Sequence, residues 1–227
     1  MTTDLRLVIF DVDGTLVDSQ ADIIGAMGFA FDAVGQPTPP RDAILGIVGL
    51  SLDVAMERLA PDLATSEHQR MVQAYKDGYI TLRAKVGAAQ SSPLYPGALD
   101  ALRALHAQPE VLLGVATGKS RRGLDKLIEA HGLDRFFSTQ QVADTHPSKP
   151  HPSMIWAAMQ ETGLGPEQTV MVGDTTFDME MAQSAGVPFI GVSWGYHAPS
   201  LLTDAVDVLD RFEALPTAVD MLWRQLA

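Results

Sequence analysis

The 227-residue chain contains no cysteine, so disulfide bonds, thiolate catalysis and zinc or iron–sulfur sites built on thiolates are excluded. The absence of cysteine also agrees with a reducing compartment. The N-terminus shows no basic segment followed by an apolar stretch, and no run approaches about 18 apolar residues. We therefore expect a cytoplasmic protein with no membrane partner.

Basic residues are scarce relative to acidic ones: 16 Lys and Arg residues against 28 Asp and Glu residues give a formal net charge of −12. This excess repels nucleic-acid backbones and acidic lipid surfaces, so neither is an expected partner. A small anionic substrate remains compatible with the charge, because a local cation outweighs charges more than about 10 Å away. Composition leaves open whether the protein is a monomer or a homodimer.

Short apolar runs alternate with helical patterns along most of the chain. Four runs have the composition of buried strands, at residues 7–10, 111–116, 170–172 and 189–192, and weaker candidates lie at 136–138 and 205–209. Helical patterns that end on a glycine cover residues 120–131, 152–162 and 177–185. The alternation predicts an α/β fold with a Rossmann-like, doubly wound parallel sheet, in which ligands bind beyond the carboxyl ends of the strands.

One long stretch interrupts this alternation. Residues 21–34, 52–59 and 67–86 have helical patterns with no strand between them, and the stretch at 91–97 (SSPLYPG) marks the return to the α/β pattern. We therefore predict a core domain of residues 1–18 and 91–227, with an inserted helical domain of residues 19–90.

Carboxylates stand directly after two of the predicted strands. Asp11 and Asp13 follow the first strand in the segment 11–15 (DVDGT), whose glycine lets the backbone turn sharply. Asp174 ends the strand at 170–172, and Asp178 lies four residues further on. Two acidic strand ends suit a hard cation such as Mg²⁺, which prefers oxygen ligands. The alternatives are a solvated turn at Asp11 and simple helix capping by Asp178.

Two further segments carry groups that are suited to phosphate. Thr117 and Gly118 end the second strand at the start of a helix, where a hydroxyl and backbone N–H groups can bind phosphate oxygens. Lys149 lies between Ser148 and Pro150 in a rigid loop, although an exposed lysine is the plainer interpretation. The segment 114–120 (GVATGKS) is one residue too short for a P-loop.

Other residues receive no functional assignment. His146 and His151 flank the loop of Lys149, but histidines in such positions are usually exposed, and we predict no role for them. The glycine-rich turn at residues 46–52 is either a place where backbone approaches a small ligand or an ordinary connection between helices.

These motifs together resemble the haloacid dehalogenase superfamily, whose phosphatases carry an Asp-x-Asp-Gly-Thr segment, a strand-end Thr or Ser, a loop Lys and a late Gly-Asp pair. All four occur here in order: residues 11–19 (DVDGTLVDS), Thr117, Lys149 within 148–152 (SKPHP), and residues 173–178 (GDTTFD). The resemblance covers residues 6 to about 215. The helical insertion resembles the small cap of this superfamily.

The resemblance implies a role for each position. Asp11 is the implied nucleophile and forms an aspartyl-phosphate, while Asp13 is the general acid and base. Mg²⁺ is held by Asp11, the Asp13 backbone carbonyl and Asp174. Thr117, Gly118 and Lys149 bind phosphate oxygens. Asp178 supports the metal through water or orients Lys149.

The function implied is hydrolysis of a small phosphorylated metabolite, and the overall layout looks most like phosphoglycolate phosphatases. Several alternatives share the same core: a β-phosphoglucomutase-like isomerase, a pyrophosphatase and a nucleotidase. A noncatalytic phosphate-binding protein is disfavoured, since Asp11, Asp13, Lys149 and Asp174 are all retained.

Overall fold

The centre of the molecule is a six-stranded parallel sheet. The fold is taken from a computed structural model that describes residues 5–226, without the side chains of residues 86, 88 and 226. The strands are β1 (Arg6–Phe10), β2 (Val111–Thr117), β3 (Phe137–Val142), β4 (Thr169–Gly173), β5 (Phe189–Val192) and β6 (Asp207–Leu209). They are ordered β3-β2-β1-β4-β5-β6. This is a doubly wound, Rossmann-like arrangement, which confirms the predicted fold class.

The strand order places a switch point at β1. Phe10 at the end of β1 pairs with Val115 of β2 on one side and with Val172 of β4 on the other. The carboxyl ends of these three strands therefore meet at one edge of the sheet, where the connections diverge to opposite faces. Ligands bind at such a position in open α/β sheets.

Helices cover both faces of the sheet. One face carries α6 (Ala98–His106), α7 (Arg121–His131) and α10 (Leu215–Leu226), and the other carries α8 (Ser153–Thr162) and α9 (Thr176–Ala185). In β1, Val8 and Phe10 pack into the first layer, whereas Leu7 and Ile9 pack into the second, and all four are fully buried. Burial on both faces is the reason that this strand is a continuous apolar run.

The chain between β1 and α6 is helical, as the sequence predicts. It forms α1 (Gln20–Asp32), α2 (Arg41–Leu45), α3 (Leu52–Leu59), α4 (Thr65–Val86) and α5 (Ala88–Ser91). Helices α1 to α4 bury an apolar cluster of their own, which includes Met27 from α1, Ile44 from α2, Met56 from α3 and Met71 from α4. Its separation from the layers on the sheet agrees with a second domain, but the division at residues 18 and 90 remains a prediction.

The sequence prediction differs from the structure in several elements. β3 extends to Val142 although Ser138, Thr139, Gln140 and Gln141 are polar. Thr139 and Gln141 are buried, but the amide of Gln141 donates to the hydroxyl of Thr139, which itself donates to Glu161, so their polar groups have partners. Helices α2, α5, α6 and α10 are absent from the prediction. In α6 the buried side chains of Ala98, Ala101, Leu102 and Leu105 have helical spacing.

None of the helices in residues 5–226 combines the length and apolar character required to cross a bilayer.

Candidate active site

The turn after β1 is closed by its own backbone and shaped by a glycine. Leu16 and Val17 donate N–H groups to the carbonyl of Val12, at 2.9 and 3.0 Å. Gly14 adopts φ +90°, and a Cβ atom there would lie 2.3 Å from Oδ2 of Asp174. Any larger residue would therefore displace the carboxylate that ends β4.

Asp174 is held by groups from both sides. Its Oδ1 accepts a 2.8 Å hydrogen bond from the hydroxyl of Thr15, and its Oδ2 accepts one of the same length from the N–H of Tyr196. A Cβ atom on Gly195 would lie 2.1 Å from the Cβ of Asp174, so the loop after β5 also needs glycine for this approach. The carboxylate consequently has one fixed orientation.

Lys149 is not the exposed lysine of the plainer interpretation, since only 2% of it is exposed. Its Nζ lies 2.6 Å from Oδ1 of Asp11 and 2.6 Å from Oδ1 of Asp178. Burial alone lowers the pKa of Lys149, but the charges of Asp11 and Asp178 outweigh it and the net pKa lies above the usual value. Lys149 therefore stays charged at the floor of the site.

Asp178 caps the start of α9 and also contacts Lys149. Its Oδ2 accepts hydrogen bonds from the N–H and hydroxyl of Thr175, which closes the first turn of α9 as a capping box. Its Oδ1 accepts from Lys149. A helix cap thus also fixes the direction of the lysine ammonium.

Three buried carboxylates converge on one point. Oxygen atoms of Asp11, Asp174 and Asp178 lie within 4.8 Å of one another. Burial raises the pKa of Asp11 to about 7, opposed by the charge of Lys149, and burial and the nearby carboxylates raise that of Asp174 well above its usual range. One ammonium cannot neutralise three carboxylates. We call these three aspartates and Lys149 the floor cluster.

The floor cluster fits a hard divalent cation. The Oδ2 atom of Asp11 is buried and has no hydrogen-bond partner within the part of the chain that the structure describes. Buried carboxylate oxygens rarely lack a partner, and a cation with oxygen ligands satisfies both this atom and the excess negative charge. Asp178 contributes a carboxylate to the same point, although the sequence analysis gives it only an indirect role, through water or through Lys149.

Asp13 contacts different residues from Asp11, although only one residue separates the two in the sequence. Its Oδ1 accepts a 2.5 Å hydrogen bond from the hydroxyl of Ser19 and lies 2.9 Å from Nζ of Lys119. Burial lowers the pKa of Lys119, but the charge of Asp13 outweighs this effect and the net pKa is raised. Sequence reasoning gave Lys119 and Ser19 no role, although both stand inside the motifs that it singled out.

A cavity of about 670 Å³ opens above these residues. Asp11, Asp13, Thr117 and Gly118 contribute to one end of it, and residues 47–53 with one side of α4 form much of the remaining wall. Gly118 lies so close to this loop that a Cβ atom would be 2.6 Å from the carbonyl oxygen of Gly49. The glycine-rich turn at 46–52 is therefore part of the cavity wall.

The two histidines near Lys149 lie outside the cavity lining. His151 is exposed, as expected. For His146 the prediction of exposure is wrong, because its ring is partly buried between the Ser153 hydroxyl at 2.8 Å and Oε1 of Gln141 at 2.9 Å. Burial lowers the pKa of His146, in keeping with a structural role.

Comparison with known proteins identifies the class to which this fold and site belong. Residues 8–192 match the family of haloacid dehalogenase-like hydrolases, and the chain belongs to that family. A solved hydrolase of the same family from Streptococcus pneumoniae superposes with a TM-score of 0.81 at 26% identity, over 96% of this chain and all of the other.

Among the relatives, the chain is similar to the probable phosphatase IndB of Dickeya dadantii, at 36% identity over 95% of this chain and 94% of the relative. It is also similar to the phosphoglycolate phosphatase of Agrobacterium fabrum, at 32% identity over 94% and 91% of the two chains. These relatives confirm the predicted enzyme class, a phosphatase of the haloacid dehalogenase type.

Proposed function

We propose that the protein is a Mg²⁺-dependent phosphomonoester hydrolase that acts on a small phosphorylated metabolite through an aspartyl-phosphate on Asp11. The observation that carries the proposal is the contrast between the two aspartates of the β1 turn. Asp11 lies against Lys149, and its other oxygen has no hydrogen-bond partner among residues 5–226, whereas Asp13 is hydrogen-bonded to Ser19 and paired with Lys119 at the cavity. One carboxylate is thus placed to attack, and the other to exchange a proton.

The reaction divides between these two residues. A carboxylate oxygen of Asp11 forms a bond to phosphorus while the ester P–O bond breaks, and Asp13 protonates the departing oxygen. Asp13 then takes a proton from a water molecule whose oxygen attacks phosphorus, which breaks the bond to Asp11 and releases inorganic phosphate.

The remaining residues bind the phosphoryl group. Thr117, Gly118 and Lys149 would bind its oxygens, and Asp178 would keep Lys149 aimed at Asp11. Mg²⁺, held by Asp11, the Asp13 backbone carbonyl and Asp174, with Asp178 close to the same point, would supply positive charge against the phosphoryl oxygens.

Residues 19–90, which include helices α1 to α4, would act as the cap over a core of residues 1–18 and 91–227. The contacts between the two support this role. The N–H of Ser51 donates a 2.8 Å hydrogen bond to the hydroxyl of Ser148, next to Lys149, and Gly49 approaches Gly118. A cap in this position excludes water from the phosphoryl group during the first step.

The substrate class follows from the relatives. Several that are similar over most of this chain are named phosphoglycolate phosphatases. A phosphoglycolate-like phosphomonoester is therefore the first substrate to test.

The test is release of inorganic phosphate from 2-phosphoglycolate, sugar phosphates, nucleotides, pyrophosphate and a chromogenic phosphomonoester, with Mg²⁺ and with EDTA. We expect phosphate release that EDTA abolishes and that Asp11→Asn lowers at least about 10⁴-fold. Thermal unfolding of the variant should show no loss of stability, because the substitution removes one of three buried carboxylates. Activity that persists in EDTA or in Asp11→Asn would contradict the proposal. Conversion of a sugar phosphate to its isomer without phosphate release would instead indicate a mutase.

A further inference from the structure

The wall of the cavity carries an arginine with two buried donor atoms. Arg83 lies in the last turn of α4 and lines the cavity. Its Nε and Nη2 atoms are buried, yet neither has a hydrogen-bond partner among the residues that the structure describes. Buried guanidinium donors normally bind a carboxylate, a phosphate or a carbonyl, so this pair requires an acceptor that the described protein atoms do not provide.

Tyr79 holds Arg83 beside a second cation. The guanidinium carbon of Arg83 lies 5.2 Å from the centroid of the Tyr79 ring, and Nζ of Lys119 lies 5.3 Å from the same centroid. Lys119 also approaches the Tyr79 hydroxyl at 3.4 Å. The ring thus attracts both cations and keeps them side by side, although they repel each other. Lys119 is already paired with Asp13, whereas Arg83 has no carboxylate partner among the described residues.

The charge of the cavity is opposite to that of the protein. Acidic residues outnumber basic ones 28 to 16 in the whole chain. Among the described residues that line the cavity, five are cationic, namely Lys76, Arg83, Lys119, Arg122 and Lys126, and four are acidic, namely Asp11, Asp13, Asp53 and Asp144. Two of those four, Asp11 and Asp13, belong to the reaction centre. The part of the cavity away from the reaction centre is therefore positively charged, as an anion-binding region requires.

We propose that Arg83 binds a second anionic group of the substrate, at a distance from the phosphate that is transferred to Asp11. The substrate class is then a phosphomonoester that carries a further oxyanion, a carboxylate or a second phosphate, because the planar guanidinium matches either group with paired hydrogen bonds. This inference rests on the proposed function, which places the reacting phosphate at Asp11.

The cavity also has room for a hydrocarbon segment of the substrate between its two anionic groups. Its volume of about 670 Å³ falls within the range of sites for small organic ligands, about 300 to 1,000 Å³, and its lining includes Ile47, Leu50, Tyr75 and Ile80. These apolar side chains favour a hydrocarbon or ring segment over a second polar cluster. We therefore expect a substrate longer than the two carbons of phosphoglycolate.

The experiment compares ω-carboxyalkyl phosphates of increasing chain length, alkyl bisphosphates, and alkyl phosphates of the same length without the second anion. In the wild-type enzyme, kcat/KM should be highest for one doubly anionic chain length. Arg83→Met should lower this value by about 10- to 100-fold, the loss of a charge-assisted hydrogen-bond pair, and should lower that for the matched alkyl phosphate much less. Arg83→Lys should recover part of the loss. The carboxylate and bisphosphate series show which oxyanion is preferred.

The control variant is Lys85→Met, which removes a positive charge from an exposed position on the same helix, outside the described cavity lining. It should leave both values of kcat/KM within about twofold of wild type. If Arg83→Met lowers the values for the doubly and singly anionic substrates equally, or if the wild type does not prefer a second anion, the proposal is wrong.

Calorimetric binding to an Asp11→Asn background separates this proposal from the proposed function, because it needs no turnover. The dissociation constant of the preferred ω-carboxyalkyl phosphate should rise about 10- to 100-fold when Arg83→Met is added, whereas that of the alkyl phosphate should change little. If the wild-type protein hydrolyses none of the substrates but binding still depends on Arg83, the proposed hydrolysis is overturned and the anion site is kept. If the wild-type protein hydrolyses the substrates but binding is independent of Arg83, the proposed hydrolysis is kept and the anion site is overturned.

Discussion

The floor cluster and the cavity wall differ in how completely their charged groups are paired. In the floor cluster, Lys149 contacts two carboxylates and Asp174 accepts two hydrogen bonds, and all of these residues are almost inaccessible. On the wall, Nε and Nη2 of Arg83 have no acceptor within the described part of the chain, and its guanidinium lies over the Tyr79 ring. The protein itself therefore holds the side chains of the floor in place and leaves Oδ2 of Asp11 available to a cation, whereas on the wall the proposal assigns the missing acceptor of Arg83 to the substrate.

The largest effect should come from removing the ammonium of the floor. Lys149→Met leaves Asp11 and Asp178 buried without their cation, and breaking such a buried pair costs about 3 to 5 kcal/mol of unfolding free energy. Chemical denaturation without divalent cations measures this loss. Lys85→Met, which is exposed, should change the free energy by less than about 0.5 kcal/mol.

The stability of Lys149→Met should also depend on magnesium. Added Mg²⁺ should restore part of the stability that Lys149→Met loses, because it supplies positive charge at the same carboxylates. A variant that is as stable as wild type without Mg²⁺ would show that the floor does not depend on its lysine.

A smaller effect should appear in the pH dependence of the metal-free protein. The pKa of Asp11 is raised to about 7 in the folded state from 3.8, so the native state binds a proton more tightly than the unfolded state between these values. Unfolding free energy should therefore fall as the pH rises from 5.5 to 8, by about 2 kcal/mol from this residue.

The contribution of Asp11 is obtained by subtracting the same curve for Asp11→Asn, which cannot titrate. Saturating Mg²⁺ should flatten the difference, because a bound cation favours the ionised carboxylate. A wild-type curve that is parallel to that of the variant would show that Asp11 is already ionised throughout this range.

The floor could be predicted from the sequence far better than the wall. Asp11 and Asp174 each follow an apolar run, and parallel strands bring their carboxyl ends to one edge, so the convergence of these two residues follows from the fold class alone. Lys149 has no such strand: its loop alone favours an exposed lysine, and only the resemblance to the superfamily assigns it to the site.

The wall could not be predicted because its contacts depend on how the helices pack over the core. Arg83 and Lys119 are far apart in the chain and meet only through Tyr79, whose direction is set by the packing of α4 against α1. For the same reason His146 was expected to be exposed, since its burial depends on Gln141 of β3 and on the start of α8.

The smallest effect should come from Tyr196, which contacts both Asp174 of the floor cluster and Ser19, the hydrogen-bond partner of Asp13. Its N–H holds Asp174 of the floor, while its hydroxyl accepts a 3.0 Å hydrogen bond from the N–H of Ser19 and lies 3.2 Å from the Ser19 hydroxyl that contacts Asp13. Tyr196→Phe keeps the ring in the cluster of helices α1 to α4 and keeps the backbone bond to Asp174. It removes only the acceptor for Ser19, so unfolding free energy should fall by about 1 kcal/mol and kcat by a few fold.

The matched control for Tyr196→Phe is Tyr95→Phe, whose ring also packs against the core and whose hydroxyl has no hydrogen bond to a described residue. It should leave kcat unchanged. The separate values of kcat and KM distinguish positioning from packing, because a freed Ser19 holds Asp13 less firmly and should lower kcat while KM changes little. If Tyr196→Phe lowers stability without lowering kcat, Tyr196 joins the helices to the core through packing alone.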